Sequence, residues 1–280
     1  MRSKPSSFAM EAEALLKVHG LEVAFPDRRG GQRVVVDNVS LEVGVGERVG
    51  LVGESGGGKS LTALAILGLV PEPGEIRSGR VTIGGIDTKE VPDCRGGVVG
   101  LVLQEAGSGL NPVYSVGFQL VETIEAHGIA RGEEARRRAL ALLTEVAIDN
   151  PGPILAAYPH QLSGGQAQRV MIALALAGDP RMIVADEPTT ALDMLTQAQI
   201  LELLVRITDE RGLGLLLVSH DLAVIGELVH RVVVMHGGRI VEEGATSEIL
   251  RQPNHPVTRR LVEAAMRVRG GRSEAGGGAV

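Results

Sequence analysis

The chain has 280 residues, enough for one large domain or two closely joined ones around a substantial core. A net charge of −6 gives no global basic field for nucleic acid, and a single cysteine, Cys94, rules out disulfides within the chain and fits a reducing compartment. Apolar residues make up 44% but aromatic ones only 2%, so the core must be Val, Leu, Ile and Ala, as in α/β proteins whose parallel strands are buried on both faces.

Met1–Ala12 is polar, lacks a signal-peptide pattern and is expected to be a disordered tail before a domain spanning residues 13–268. Leu15–Phe25 reads as a strand, Arg28–Gln32 as a turn, and Arg33–Val36 with Val39–Val43 as more strand. Strand Arg48–Val52 then runs into Gly53-Glu54-Ser55-Gly56-Gly57-Gly58-Lys59-Ser60, which opens a helix over Lys59–Leu69. This segment fits G-x-x-x-x-G-K-[ST], a pattern that arises by chance in about 1% of chains this long. Its glycines let successive backbone N–H groups turn inward around a phosphate, and the helix aims its positive end at the same anion. Lys59 would reach the β- and γ-phosphates, and the Ser60 hydroxyl would take one Mg²⁺ position. A bound nucleoside triphosphate is the expectation.

Pro71–Gly79 reads as a breaker-rich connection, Arg80–Ile83 as a strand, and Val98–Leu103 as a short apolar strand ending at Gln104. From Asn111 the period becomes helical, with Val116–His127, Glu133–Val146 and Gly164–Ala177 carrying apolar residues at three- and four-residue spacing. Residues 111–177 are therefore expected to form a helical insertion, its last connection punctuated by Pro151, Pro153 and Pro159. The α/β core then resumes with strand Met182–Ala185, helix Met194–Arg211, strand Leu213–Val218 and helix Asp221–Leu228. Arg231–Met235 and Arg239–Glu242 read as a hairpin, Thr246–Arg251 and Pro256–Arg269 as helices, and Gly270–Val280 as a Gly-rich disordered tail. No apolar run approaches the ~20 residues that span a bilayer.

Two further segments choose among the many proteins that carry a phosphate loop. Met182-Ile183-Val184-Ala185-Asp186-Glu187 is a buried strand ending in two acids. Asp186 would hold Mg²⁺ through water, and Glu187 could polarise a water attacking the γ-phosphate. Leu162-Ser163-Gly164-Gly165-Gln166 stands before a helix, where Ser163 can cap and Gly164 and Gly165 expose backbone N–H groups, a second anion site.

With these motifs in order, residues 15–267 resemble the ATP-binding subunits of ABC transporters. Gly53–Ser60, with Leu61 beside it, is similar to the family's Walker A, Leu162–Gln166 to its signature, and Ile183–Glu187 to its Walker B with catalytic glutamate. Gln104 matches the Q-loop glutamine, Ala191-Leu192-Asp193 the D-loop, His220 the switch histidine, and Phe25 the adenine-stacking aromatic. The resemblance implies a phosphate-loop (P-loop) NTPase fold: a RecA-like α/β core with an N-terminal antiparallel β subdomain and the helical insertion. It implies ATP and Mg²⁺ as cofactors, with Ser60, Gln104 and Asp186 around the metal and Lys59, Gln104, Glu187 and His220 serving hydrolysis. It implies a head-to-tail dimer in which each ATP lies between one Walker A and the partner's Ser163–Gln166, with Asp193 communicating across. It argues against a GTPase or small-molecule kinase, as does the lack of an N-K-x-D guanine motif.

Local wording narrows the resemblance to the peptide/nickel (dipeptide and oligopeptide permease) importer branch. Gln104-Glu105, Gly109-Leu110-Asn111-Pro112, Tyr158-Pro159-His160-Gln161, the run from Asp186 to Asp193 and Asn254-His255-Pro256 are similar to that branch. Likeness to this branch implies a peripheral ATPase at the cytoplasmic face of the cell membrane, serving uptake of peptides, nickel or another small solute. Its implied partners are a second, non-identical ATPase, two transmembrane permease subunits and an extracytoplasmic solute-binding protein. A cytosolic ABC ATPase acting on nucleic acid or ribosomes is the alternative from another class, and the acidic balance gives it no footprint. Ala106 and Ala167 depart from the branch's usual proline and arginine, and Val257 from its tyrosine. Without C-terminal cysteines, no iron–sulfur cluster is expected.

Overall fold

The computed structural model describes residues 14–27, 30–88, 97–190 and 192–275. The expected N-terminal tail, Arg28 and Arg29 of the first turn, Cys94 and Ala191 lie outside those residues. In chain order the elements are β1 (Ala14–Pro26), β2 (Gln32–Gly44), β3 (Arg48–Val52), α1 (Lys59–Ile66), β4 (Glu75–Ile83), β5 (Ile86–Asp87) and β6 (Val99–Val102). A helical stretch comes next: α2 (Ala106–Gly109), α3 (Val116–Ala126), α4 (Gly132–Glu145), α5 (Pro151–Ala156), a 3₁₀ turn (Pro159–Gln161) and α6 (Gly164–Leu176). Last come β7 (Met182–Asp186), α7 (Met194–Arg211), β8 (Gly214–Ser219), α8 (Leu222–Ile225), β9 (Arg231–His236), β10 (Arg239–Ala245), α9 (Thr246–Arg251) and α10 (Pro256–Ala275).

The described residues form two sheets, an antiparallel one in the order β2-β1-β4-β5 and a larger one in the order β10-β9-β3-β8-β7-β6. In the larger sheet β9, β3, β8, β7 and β6 run parallel, and β10 pairs antiparallel at the edge. Alternate side chains of these strands feed two different cores. Met182, Val184, Leu216, Val218, Val233 and Met235 pack with α1 and the antiparallel sheet. Ile183, Ala185, Leu215, Leu217, Val232 and Val234 pack with helices α3 to α7. Burial on both faces is why these strands read as unbroken apolar runs.

Several boundaries differ from those the sequence predicts, most plainly those of α1, β4, α8 and α10. Helix α1 stops at Ile66 rather than Leu69, because the amides of Gly68 and Leu69 turn back to the carbonyls of Ala65 and Leu64 at 2.9 and 2.8 Å. Strand β4 starts at Glu75 rather than Arg80, the breakers being confined to a turn closed by Gly74 N–H on the Pro71 carbonyl. Helix α8 ends at Ile225, before Gly226, rather than at Leu228. Helix α10 runs to Ala275, into the glycine-rich stretch expected to be disordered; residues 276–280 of that stretch lie outside the described ones. The short helices α2 and α5 were not legible. In α5, Pro151 sits at the first turn, where a missing N–H costs nothing. No helix among the described residues is long and apolar enough to cross a membrane.

Candidate functional site

The strand ends bring the predicted residues together. Strand β3 lies between β8 and β9, and register sets Val52 opposite Ser219, Asp186 opposite Val218, and Val102 opposite Ala185. Gly53, His220, Glu187 and Gln104 come just after these paired ends, so they emerge along one rim, the carboxyl edge where open α/β sheets hold ligands. Gln104 is exposed there, past the end of β6.

Residues 53–58 fold back over the head of α1. The Gly57 N–H donates to the Glu54 carbonyl at 3.1 Å, and the Gly238 N–H, from the β9–β10 turn, donates to the Gly57 carbonyl at 3.1 Å. A Cβ on Gly53 would stand 2.1 Å from the Met235 carbonyl oxygen, and one on Gly58, at φ +95°, 2.9 Å from that of Val35, so neither position accepts a side chain. Thr62 fixes the loop from inside the helix, donating to the Gly58 carbonyl at 2.9 Å. Among the described residues, the N–H groups of Ser55, Gly56, Gly58, Lys59 and Ser60 have no protein acceptor, the arrangement of an anion cradle. Lys59 is 4% exposed, and its Nζ donates to the carbonyls of Gly53 and Glu54, each at 3.0 Å. Burial pushes its ammonium below the ordinary value, partly offset by Glu187 and Asp186. Leu61 is half-buried behind the loop.

The two acids stand directly opposite. Asp186 Oδ1 accepts from Ser60 Oγ at 2.9 Å, tying the end of β7 to the first turn of α1. Burial pushes the Asp186 carboxyl above its ordinary value; the Ser60 hydrogen bond and Lys59 pull it down, while Glu187 adds to the rise. Ser60 hydroxyl, Asp186 carboxylate and Gln104 amide oxygens are the hard donors magnesium takes, and no cluster of three or more His, Cys, Asp or Glu surrounds a metal position among the described residues. Magnesium here would draw its other ligands from phosphate and water.

Glu187 is held in an unusual posture. Its φ is +43°, a left-handed conformation that costs a non-glycine residue about 1–3 kcal/mol. The Glu187 N–H donates to the Val218 carbonyl at 3.0 Å, which holds the turn. The carboxylate accepts from Thr190 Oγ1 at 2.9 Å and lies 3.1 Å from His220 Nδ1. A cavity of about 220 Å³ opens between Glu187, Thr190, Leu192, His220 and Asp221. A carboxylate so placed can take a proton from water, and the half-exposed imidazole can stabilise negative charge. Thr190 is a site residue that the sequence does not single out; its signal was the pair of threonines after Pro188, on the turn that re-aims Glu187.

The remaining predicted residues lie elsewhere. Ser163 caps α6: its Oγ accepts from Gln166 N–H at 3.2 Å, and Gln166 Oε1 accepts from Ser163 N–H at 3.0 Å, a reciprocal capping box. Ser163 and Gly164 are exposed, and no hydrogen bond joins residues 163–166 to residues 53–60 among the described residues. Asp193 caps α7, accepting from Leu195 N–H, Thr196 N–H and Thr196 Oγ1 at 3.1, 3.0 and 2.7 Å. The Thr196 hydroxyl, foremost, holds its carboxyl below the ordinary value. Beside it, Met194 and Leu195 are 66% and 71% exposed. Phe25 pairs in register with Arg33, two residues before the Val35 that abuts Gly58, and its ring lies against Gly74.

A parallel sheet with a glycine cradle at its carboxyl rim, a buried lysine inside it and a strand ending in two acids defines a phosphate-loop nucleoside triphosphatase. The ABC transporter profile matches residues 36–190, and the chain belongs to that family as an ABC-type ATPase. It is 44% identical to the dipeptide transport ATP-binding protein DppD of Escherichia coli (strain K12), over 90% of this chain and 78% of that one. It is 41% identical to the glutathione import ATP-binding protein GsiA of Salmonella typhimurium (strain LT2), over 93% of this chain and 43% of that one. Among solved structures, the ATP-binding cassette MJ0796, a dimer in a post-hydrolysis state with ADP and Pi, superposes with a TM-score of 0.72 at 30% identity, covering 82% of this chain and 98% of that one.

Proposed function

We propose that this chain is the ATP-hydrolysing subunit of a peptide importer, working at the cytoplasmic face of a membrane in a head-to-tail pair. Residues 53–61 and Lys59 hold the triphosphate, Ser60, Asp186 and Gln104 hold Mg²⁺, and Phe25 stacks on adenine. Glu187 acts as the base toward water, and His220 steadies the γ-phosphate charge. Ser163, Gly164, Gly165 and Gln166 close on the nucleotide of the companion ATPase, with Asp193 at the seam. The observation that carries this reading is a separation. The cradle and both acids meet within one chain, while the second anion-ready helix start stands apart and exposed. Exposed Met194 and Leu195 beside Asp193 support a companion subunit on that face.

The relatives' names, dipeptide transport and glutathione import, support a short peptide as solute. Two permease subunits would dock beside Gln104. An apolar groove of about 300 Å³ opens there, lined by Leu101, Leu103, Met171 and Leu174. Val113, Tyr114 and Phe118 are exposed, with the two rings stacked 4.5 Å apart, in a chain that has only two Tyr and three Phe. An external solute-binding protein and a non-identical second ATPase complete the assembly.

Replacing the chromosomal copy by Glu187→Gln and measuring uptake of labelled di- and tripeptides alongside nickel tests this. Loss of peptide uptake with nickel uptake retained is expected. Intact peptide uptake with loss of nickel uptake would move the solute to the metal alternative.

A further inference from the structure

The phosphate loop carries a carboxylate that neither hydrolysis nor metal binding uses. Glu54, the second loop residue, has its backbone carbonyl on Lys59 but its side chain outside the cradle, about half exposed. Two basic side chains from distant parts of the sequence meet it. Arg260 Nη2 of α10 donates to Oε1 at 3.1 Å, and His236 Nδ1, from the end of β9, lies 3.4 Å from Oε2. The guanidinium is charged at every accessible pH, so Arg260 is the permanent counter-ion.

An exposed ion pair is ordinarily worth little, largely because two long side chains must be ordered to make it. Here both backbones are already fixed. On the loop side, the Glu54 carbonyl accepts from both Gly57 N–H and Lys59 Nζ. On the other side, the Glu242 carboxylate of β10 accepts from the N–H groups of Asn254 and His255, each at 2.8 Å, pinning the start of α10. Val257, Val262 and Ala265 then bury the helix against the core. Arg260 is therefore presented to Glu54 by a helix anchored at its first turn.

An uncompensated carboxylate on this loop would repel a polyanion entering the cradle. We propose that Arg260 is a positioning residue for nucleotide binding, cancelling the Glu54 charge on the outer wall of the loop and so setting its affinity for the triphosphate. The inference rests on residues 53–60 being the nucleotide site. It makes the net charge of the pair the controlling variable: zero in the native chain, −1 in Arg260→Ala, +1 in Glu54→Gln and zero again in the double variant.

Titrating a fluorescent ATP analogue into the full-length chain at low and high salt tests this order. Glu54→Gln is expected to bind tightest and Arg260→Ala weakest, by about three- to tenfold against the native chain at low salt. The double variant and Arg260→Lys should return to near the native affinity, and the differences should shrink above about 0.5 M salt. A double variant as weak as Arg260→Ala, or a loss that ignores salt, would make Arg260 a structural support of α10 and overturn the proposal. Lys59→Ala, run in parallel, separates the two layers. If it binds ATP normally, the placement of the nucleotide fails; if it loses ATP while Arg260→Ala does not, the counter-ion role alone fails.

Discussion

The heads of α1 and α6 are the same device built to opposite specifications. At α1 the N-cap is Gly58, no side chain caps the helix, and the N–H groups of Ser55, Gly56, Gly58, Lys59 and Ser60 have no protein acceptor among the described residues. At α6 the capping box of Ser163 and Gln166 occupies local donors, and the tip is exposed. The first turns free donors toward one point and is backed by Asp186 and Glu187, an arrangement suited to binding an anion and to chemistry on it. The second is content on its own, carries no acid and no lysine, and suits a surface that meets a ligand held by something else. On the proposed reading these are two half-sites, and chemistry would depend on association.

The sharpest way to break the comparison is to remove chemistry from the first head alone. Glu187→Gln should slow ATP turnover by about 10²–10⁴-fold with ATP affinity retained, read by phosphate release and nucleotide titration. Next in size, Lys59→Ala removes a buried charge-assisted contact and should weaken ATP by about 10- to 150-fold in the same titration. Retained affinity would detach the cradle from the nucleotide.

A smaller effect concerns the buried acid. Because burial raises the Asp186 carboxyl, the folded chain holds its proton to higher pH than the unfolded one. Stability without nucleotide therefore falls as pH rises from the usual aspartate range through the folded value, and the deficit persists at neutral pH. Asp186→Asn should then melt about 2–4 °C higher at neutral pH while losing magnesium-dependent turnover. A lower melting temperature would mean that the carboxylate is already fully compensated. Smallest of all, Ser163→Ala should cost about 1 kcal/mol of stability through the lost cap and leave ATP binding to the isolated chain as it was. A drop in that binding would place Ser163 in the same half-site as Lys59.

Much of this was legible because it is written in local chemistry. The strand–loop–helix around Lys59, the apolar strand ending at Asp186 and Glu187, and the Ser163 cap each declare themselves within a few residues. What escaped depends on contacts distant in sequence. Nothing local forecasts that the Met235 and Val35 carbonyls wall the loop, or that Arg260 reaches Glu54. Thr190 was missed because its role depends on the left-handed turn at Glu187, which no residue type announces. Helix α5 hid behind Pro151 and Pro153, residues that signal interruption in one register and a helix start in another.

The most direct measurement is a structure of the Glu187→Gln chain assembled with its companion ATPase, ATP and Mg²⁺. The account predicts the triphosphate in the cradle of residues 53–60 of one subunit, with the serine–glycine head of the other closing over the γ-phosphate. A triphosphate enclosed by one chain alone, with residues 163–166 facing solvent, would contradict it.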